Sequence, residues 1–129
     1  MKYTIEIPTI NSLETLTATA QLEAQKWMLD EVSAKMKETA KKGEREYNLD
    51  LSECECKLDH GTINEVQNTL REMGYMTTYY PRKEVLNVDW SPRAQSELQL
   101  LKDNKVNWRF PTRKEIAEAR KRVEDILHK

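Results

Sequence analysis

A long helix with two apolar stripes is the feature that most constrains the fold of this 129-residue chain. Apolar residues recur every three or four positions, which predicts one continuous helix over residues 11–42. The first stripe consists of Leu13, Leu16, Ala20, Ala24 and Trp27. The second stripe, on the roughly opposite side, consists of Leu22, Leu29, Val32, Met36 and Ala40. A small domain covers one side of such a helix, so the other stripe needs a partner.

The two stripes also predict which part of the helix meets that partner. The first stripe occupies the N-terminal half of the helix and the second occupies the C-terminal half. We therefore expect the segment from Leu13 to Trp27 to pack on its own domain and the segment from Leu29 to Ala40 to project as an oligomerisation arm. The predicted interface of a homo-oligomer consists of Leu22, Leu29, Val32 and Met36.

The remaining pattern predicts an α+β fold in a single domain spanning residues 1–129. Alternating apolar residues predict strands at 3–7, 49–58, 75–80, 85–90 and 106–110, with a bulge or a break in the second of them. Helical spacing predicts a helix at 62–73, another that begins at Pro92 after Ser91, and a last one after Thr112. This order predicts a small mixed or antiparallel sheet packed against helices.

Capping signals set the expected ends of these helices. Ser, Thr or Asn followed three residues later by Glu is typical of a capping box. Such pairs are Asn11 with Glu14, Thr62 with Glu65, and Thr112 with Glu115. Gly74 stands where a left-handed residue ends the helix at 62–73.

Composition and motifs argue against several classes of function. The chain has no apolar run long enough to cross a membrane and no signal peptide, so we expect a cytoplasmic protein with no membrane partner. With three glycines it has no phosphate-binding loop. Cys54, Cys56 and His60 are too few and too closely spaced for a zinc site. We therefore predict no catalytic residues, no metal and no cofactor.

The two cysteines, Cys54 and Cys56, fall on the same face of the predicted strand. Adjacent positions on one face are poorly placed to bridge each other. Reduced thiols in a cytosol are the simplest interpretation.

The hairpin predicted at 75–90 and the basic residues near it form the expected binding surface for a protein or a small ligand. Aromatic rings supply large contact areas, and arginines pair well with phosphate or carboxylate. The candidate residues are Tyr79, Tyr80, Arg82, Lys83 and Arg109.

Nucleic-acid binding is the alternative from a different class. The helix at 62–73 and the hairpin after it resemble the recognition helix and wing of a winged helix, with Arg82 and Lys83 at the wing tip. A separate basic patch would consist of Arg113, Lys114, Lys121 and Arg122. Against this alternative, the helix at 62–73 has Arg71 as its one cation and carries Glu65 and Glu72.

Residues 62–90 read TINEVQNTLREMGYMTTYYPRKEVLNVDW, a short helix that ends in Gly-Tyr and continues into a hairpin closing on an aromatic residue. This stretch resembles a unit of small accessory proteins encoded by bacteriophages. The resemblance implies a binding protein of the host cytoplasm, such as an inhibitor of a host factor or of antiviral defence. A minor virion or assembly component is the second class that it implies. No catalytic residue is carried over.

Overall fold

A computed structural model describes residues 6–127 of the chain, and its elements follow the predicted α+β class. The helices are α1 (Ile10–Lys41), α2 (His60–Glu72), α3 (Pro92–Asp103) and α4 (Arg113–Leu127). The strands are β1 (Glu46–Asp50), β2 (Met76–Tyr80) and β3 (Val85–Asp89), and a 3-10 turn spans Leu51–Glu53. Of the strand predicted at 3–7, residues 3–5 lie outside the described residues, and Ile7 is exposed in irregular chain.

The three strands form one antiparallel sheet in the order β1-β3-β2. Leu86 at the centre faces Leu49 on one side and Tyr79 on the other. The predicted hairpin is confirmed, and its connection contains Glu84 at a φ of 52°. Side chains alternate across a strand, so one face of the sheet is apolar and the other is polar.

The apolar face of the sheet is covered by α1 and α2, and the core lies between these layers. Burying one such side chain stabilises the fold by about 1.5–3 kcal/mol. The clustered buried residues are Met28, Val32, Leu49, Leu51, Ile63, Val66, Leu70, Leu86 and Val88.

Helix α1 has nearly the predicted bounds, but the prediction of its buried side was wrong. Its buried residues are Gln21, Ala24, Met28 and Val32, a stripe that runs between the two predicted stripes. This stripe starts at Gln21, after the first third of the helix. The first third therefore projects, although Leu13 and Leu16 were predicted to pack on the domain, and the part around Met28 and Val32 packs on the domain instead of projecting.

Two helix starts also differ from the capping boxes predicted by the sequence. The side chain of Thr9, not that of Asn11, caps α1 by accepting a hydrogen bond from the Ser12 amide. Asp59 caps α2 by accepting from the Thr62 amide at 2.8 Å. Thr62 itself is buried inside the first turn, and its hydroxyl has no hydrogen-bond partner among residues 6–127.

The other capping signals are confirmed. The Ser91 hydroxyl accepts from the Ala94 amide with Pro92 at the first helical position. Thr112 and Glu115 bond to each other at the start of α4. Gly74 has a φ of 97°, a conformation that residues with a Cβ rarely adopt.

The strand predicted at 49–58 is a strand only at residues 49–50, within β1, and the one predicted at 106–110 is not a strand. After β1, the Asp50 side chain accepts from the amide and hydroxyl of Ser52 and turns the chain into the 3-10 turn, so residues 51–58 leave the sheet. Residues 106–110 form turns and bends, with Lys105 and Asn107 at positive φ. Side chains of α2 hold that segment in place and satisfy its main-chain groups.

Across the described residues, none of the helices combines the length and the apolar character needed to span a lipid bilayer.

Candidate functional site

The N-terminal third of α1, residues 10–20, extends beyond the core, and we call it the overhang. Eleven helical residues extend about 16 Å. Leu13 is 48% exposed and Leu16 is 64% exposed, and Ile10 at the tip is more exposed still. Large apolar side chains are therefore in water along a regular helix.

The overhang carries little charge compared with the rest of α1. Its one charged residue is Glu14. The remainder of the helix carries eight, namely Glu23, Lys26, Asp30, Glu31, Lys35, Lys37, Glu38 and Lys41. Exposed helix surfaces normally have charged side chains, so a solvent-exposed segment without them is typical of an interface.

The threonines of the overhang add methyl groups to its surface, and their hydroxyls are hydrogen-bonded within the helix. The hydroxyl of Thr15 donates to the Asn11 carbonyl, that of Thr17 to the Leu13 carbonyl, and that of Thr19 to the Thr15 carbonyl, each at 2.9 Å. A hydroxyl paired to its own helix needs no water, so covering these three threonines leaves none of their hydroxyl donors unsatisfied.

One apolar stripe runs from the overhang to the body of the protein. Leu13, Leu16 and Ala20 follow the spacing of a coiled-coil seam, and Trp27 lies one heptad after Ala20, with Glu23 at the seam position between them. Leu13 and Leu16 are exposed, whereas Ala20 and Trp27 are half-buried and line a cavity of about 280 Å³. The stripe is thus continuous with the core at one end and open to solvent at the other.

The base of the overhang is fixed by Gln21, which is 6% exposed. Its side-chain nitrogen donates to the Lys57 carbonyl at 2.7 Å, and its oxygen accepts from the Asp59 amide at 3.2 Å. Gln21 was not among the candidate residues of the sequence; the structure places it on the buried side of α1, one turn before Ala24 and two turns before Met28. These bonds hold the loop before α2 against α1.

Helix α4 is attached to the domain only near its first turn. Arg113 donates to the Asp59 carboxylate at 2.8 Å, and its Cα lies 2.7 Å from where a Cβ on Gly61 would be. Glycine is required at that position because α2 and α4 approach so closely. No residue of α4, from 113 to 127, is buried, and Val123 and Leu127 are exposed.

An open groove of about 1080 Å³ separates α4 from the overhang. Thr17 and Ala18 of α1 line one wall, and Ile116 and Ala117 of α4 line the other. Charged groups at its rim are Glu14, Lys57, Asp59, Arg113, Lys114 and Arg120.

Only one of the four residues predicted for the oligomer interface is exposed. Leu22 is 66% exposed, whereas Val32 is 1% exposed in the core. Leu29 and Met36 are half-buried and pack against that core. The prediction was wrong for Val32, because its side chain faces the sheet. The C-terminal half of α1 therefore has no second apolar stripe that is open to a partner.

The residues predicted to bind a partner do not form one surface. Tyr79 is on the core face of the sheet, with its ring 6.2 Å from that of His60, whereas Tyr80 is on the polar face. Arg82 and Lys83 are exposed in the hairpin turn. Arg109 lies 3.7 Å from Glu115 of α4. Tyr80 and Lys83 do share a cavity of about 580 Å³ on the polar face.

The structure gives α2 a different role from that of a recognition helix. It is packed against α1, β2 and α4, and eight of its thirteen residues are buried. Arg71, the cation of this helix, is 4% exposed. A helix covered on these sides has no face that fits a DNA groove.

The predicted basic patch on α4 is mixed in charge. Arg113 is paired with Asp59, whereas Lys114, Lys121 and Arg122 are exposed. The acidic residues of the same helix are Glu115, Glu118, Glu124 and Asp125. Helical spacing places Glu118 and Asp125 on the same side as Lys114 and Lys121, which weakens the positive field that phosphate binding needs.

The two cysteines lie in the loop between the 3-10 turn and α2, not on a strand. Their sulfur atoms are 3.8 Å apart, and Cys56 also lies 3.8 Å from the Ala20 carbonyl oxygen. Burial raises the pKa of the Cys56 thiol, and the neighbouring Cys54 raises it further. Within residues 6–127, no three His, Cys, Asp or Glu side chains converge as a metal site would need.

Comparisons with protein families, with curated proteins and with solved structures found no match to this chain. The bacteriophage resemblance of residues 62–90 therefore stays a prediction from the sequence.

The contact between Asp59 and Arg113 predicts a small dependence of stability on pH. Burial alone would raise the pKa of Asp59, but the bonds from Thr62 and the Arg113 guanidinium outweigh it and lower that pKa. A lowered pKa stabilises the fold above the unfolded value of about 3.9, and this stability is lost as the pH falls through the folded value. Since the Asp59 side chain is 42% exposed, we expect about 0.5 kcal/mol.

Asp59→Asn tests this prediction because asparagine is also a good helix cap but has no charge. Thermal unfolding from pH 7 to pH 2 is expected to show the variant below the wild type at neutral pH, with the two curves converging in acid. Curves that stay parallel over this range would mean that the carboxylate does not stabilise the fold.

Proposed function

We propose that this protein acts by binding, not by catalysis, and that it self-associates through the overhang of α1. The observation that carries the proposal is an exposed helical segment with leucines in register, one charge, and threonine hydroxyls already bonded to their own backbone. Such a surface is costly to leave in water, and its threonine hydroxyls do not need water as a hydrogen-bond partner.

A second copy of the chain is the occupant that this surface fits best. Two stripes of Leu13, Leu16 and Ala20 related by a two-fold axis can interdigitate as knobs into holes. Glu14 lies on the far side of the helix from this stripe. Glu23 occupies the next seam position after Ala20, so the contact is proposed at Leu13, Leu16 and Ala20, before that charge. The half-buried Trp27 lies one heptad beyond Ala20 on the same side of the helix, where it packs against the core of its own protomer.

Sedimentation velocity of the purified protein from about 1 to 100 µM, a range that brackets the micromolar affinities of modest interfaces, tests the proposal. We expect a reversible shift from the mass of one chain to twice that mass. A monomer throughout this range contradicts self-association.

The second part of the proposal concerns the partner on which the dimer acts. We propose a phage-type accessory protein of the host cytoplasm that engages a host protein or a small ligand, as the resemblance of residues 62–90 implies. The polar face of the sheet offers a surface for this role: Tyr80 is 46% exposed there, Asn87 donates to Asn48 across the strands, and residues of α3 line the same cavity. In this proposal the protein forms a dimer, and the dimer is the form that binds the host protein or small ligand.

A further inference from the structure

We propose that Cys54 and Cys56 are a modification site, a dithiol that forms a reversible intrachain disulfide with small disulfide oxidants. The inference goes beyond the proposed self-association and does not depend on it. It rests on the position of the two sulfur atoms in the folded loop.

The loop brings the two thiols close enough to react. The sulfur atoms are 3.8 Å apart, and a disulfide bond requires about 2 Å. The chain bends at Glu55 and Cys56, which shortens the distance between residues that a strand would hold apart. On the extended strand predicted from the sequence such a bond is unfavourable, whereas the bend in the structure brings the two sulfur atoms together.

Fixed points on both sides keep the loop in this conformation. Before the loop, Leu51 is buried and the Cys54 amide donates to the Leu51 carbonyl at 3.2 Å. After it, Gln21 holds the Lys57 carbonyl and the Asp59 amide. Because both ends are anchored, the thiols stay together instead of sampling the separations of a free peptide.

The thiols are also within reach of solvent. Both cysteines are half-buried, and each lines the same two cavities on either side of the loop. Glu53 and Glu55 flank them, so an uncharged disulfide approaches more readily than an anionic one such as oxidised glutathione.

The reaction is two thiol–disulfide exchanges that balance without any other reactant. The thiolate of one cysteine attacks a sulfur of the oxidant, which forms a mixed disulfide and releases one equivalent of the oxidant's thiol. The second cysteine loses its proton to solvent and attacks the protein sulfur of the mixed disulfide, which releases the second equivalent. Two protein thiols are oxidised, and one small disulfide is reduced to two thiols.

Closing the bond has one local consequence. Turning the Cys56 sulfur toward Cys54 removes its contact with the Ala20 carbonyl of α1. The bonds of Gln21 to the loop remain, so the fold is retained in both redox states.

Wild-type protein incubated with hydroxyethyl disulfide, quenched with acid and measured by intact mass, tests the site. We expect a product lighter by two hydrogens, with neither cysteine open to alkylation, and full reversal by dithiothreitol. The Cys54→Ser and Cys56→Ser variants are expected to stop at one stable mixed disulfide. A wild-type chain that accumulates two adducts, links to a second chain, or does not react overturns the proposal.

The same oxidation in urea shows whether the fold or only the local sequence brings the thiols together. From the ratio of intrachain disulfide to mixed disulfide we expect an effective concentration at least about tenfold higher in the native chain than in urea. Equal values in the two conditions would contradict the role assigned to the folded loop.

Discussion

Replacing Leu16 with glutamate is expected to leave the protein monomeric at concentrations where the wild type is a dimer. Leu16 is 64% exposed, so the substitution removes little packing within one protomer. In the proposed dimer it places two carboxylates in an apolar seam, each costing about 1.4 kcal/mol or more. We therefore expect the dissociation constant to rise at least about 100-fold, measured by sedimentation velocity.

Leu22→Glu is the matched control for that experiment. Leu22 is equally exposed at 66%, is in the same helix, and lies on the side opposite Leu13 and Leu16. It is expected to keep the wild-type dissociation constant. If both variants dissociate alike, the overhang stripe is not the contact; if only the Leu22 variant dissociates, the interface is on the other side of α1.

The position of the overhang shows where the sequence was informative and where it misled. The spacing of apolar residues defined the length of α1 to within one residue at each end. The same spacing did not reveal which side is buried, because both sides carry leucines. Apolar residues are often exposed, so a leucine alone is weak evidence of a core position.

Gln21 explains why the correct side could not be chosen from the sequence. A glutamine favours the surface unless it is bonded, and its partners are main-chain groups of Lys57 and Asp59, more than thirty residues away. Such pairing depends on the tertiary fold and leaves no periodic signal. The hairpin of β2 and β3, by contrast, depends on alternation and a short turn, which is why it could be predicted.

The prediction of a strand at 106–110 was wrong for a related reason. Its alternation of Val106, Trp108 and Phe110 fits a strand, but the segment does not join the three-stranded sheet. Asn68 instead exchanges two hydrogen bonds with the main chain of Phe110, at 2.8 and 2.9 Å. Polar side chains of α2 thus replace the neighbouring strand that the alternation implied.

Replacing Arg71 with alanine is expected to be among the most destabilising single changes outside the apolar core. Arg71 is 4% exposed, and its guanidinium donates to the Thr77 hydroxyl and carbonyl and to the Asn107 carbonyl, at 2.6–3.0 Å. It also stacks 4.5 Å over the Phe110 ring. Alanine would leave a cavity and buried acceptors without donors, at about 1–3 kcal/mol for each acceptor.

We expect a loss of about 3 kcal/mol in the free energy of unfolding, and a melting temperature about 10 °C lower. Arg82→Ala is the control, because Arg82 is exposed in the hairpin turn and should change stability by less than about 0.5 kcal/mol. Hydrogen exchange adds a local readout: the Phe110 amide, which donates to Asn68, should lose protection in the Arg71 variant. Equal stabilities of the two variants would mean that Arg71 does not hold residues 105–110 to α2, and that the apolar core alone supports this side of the fold.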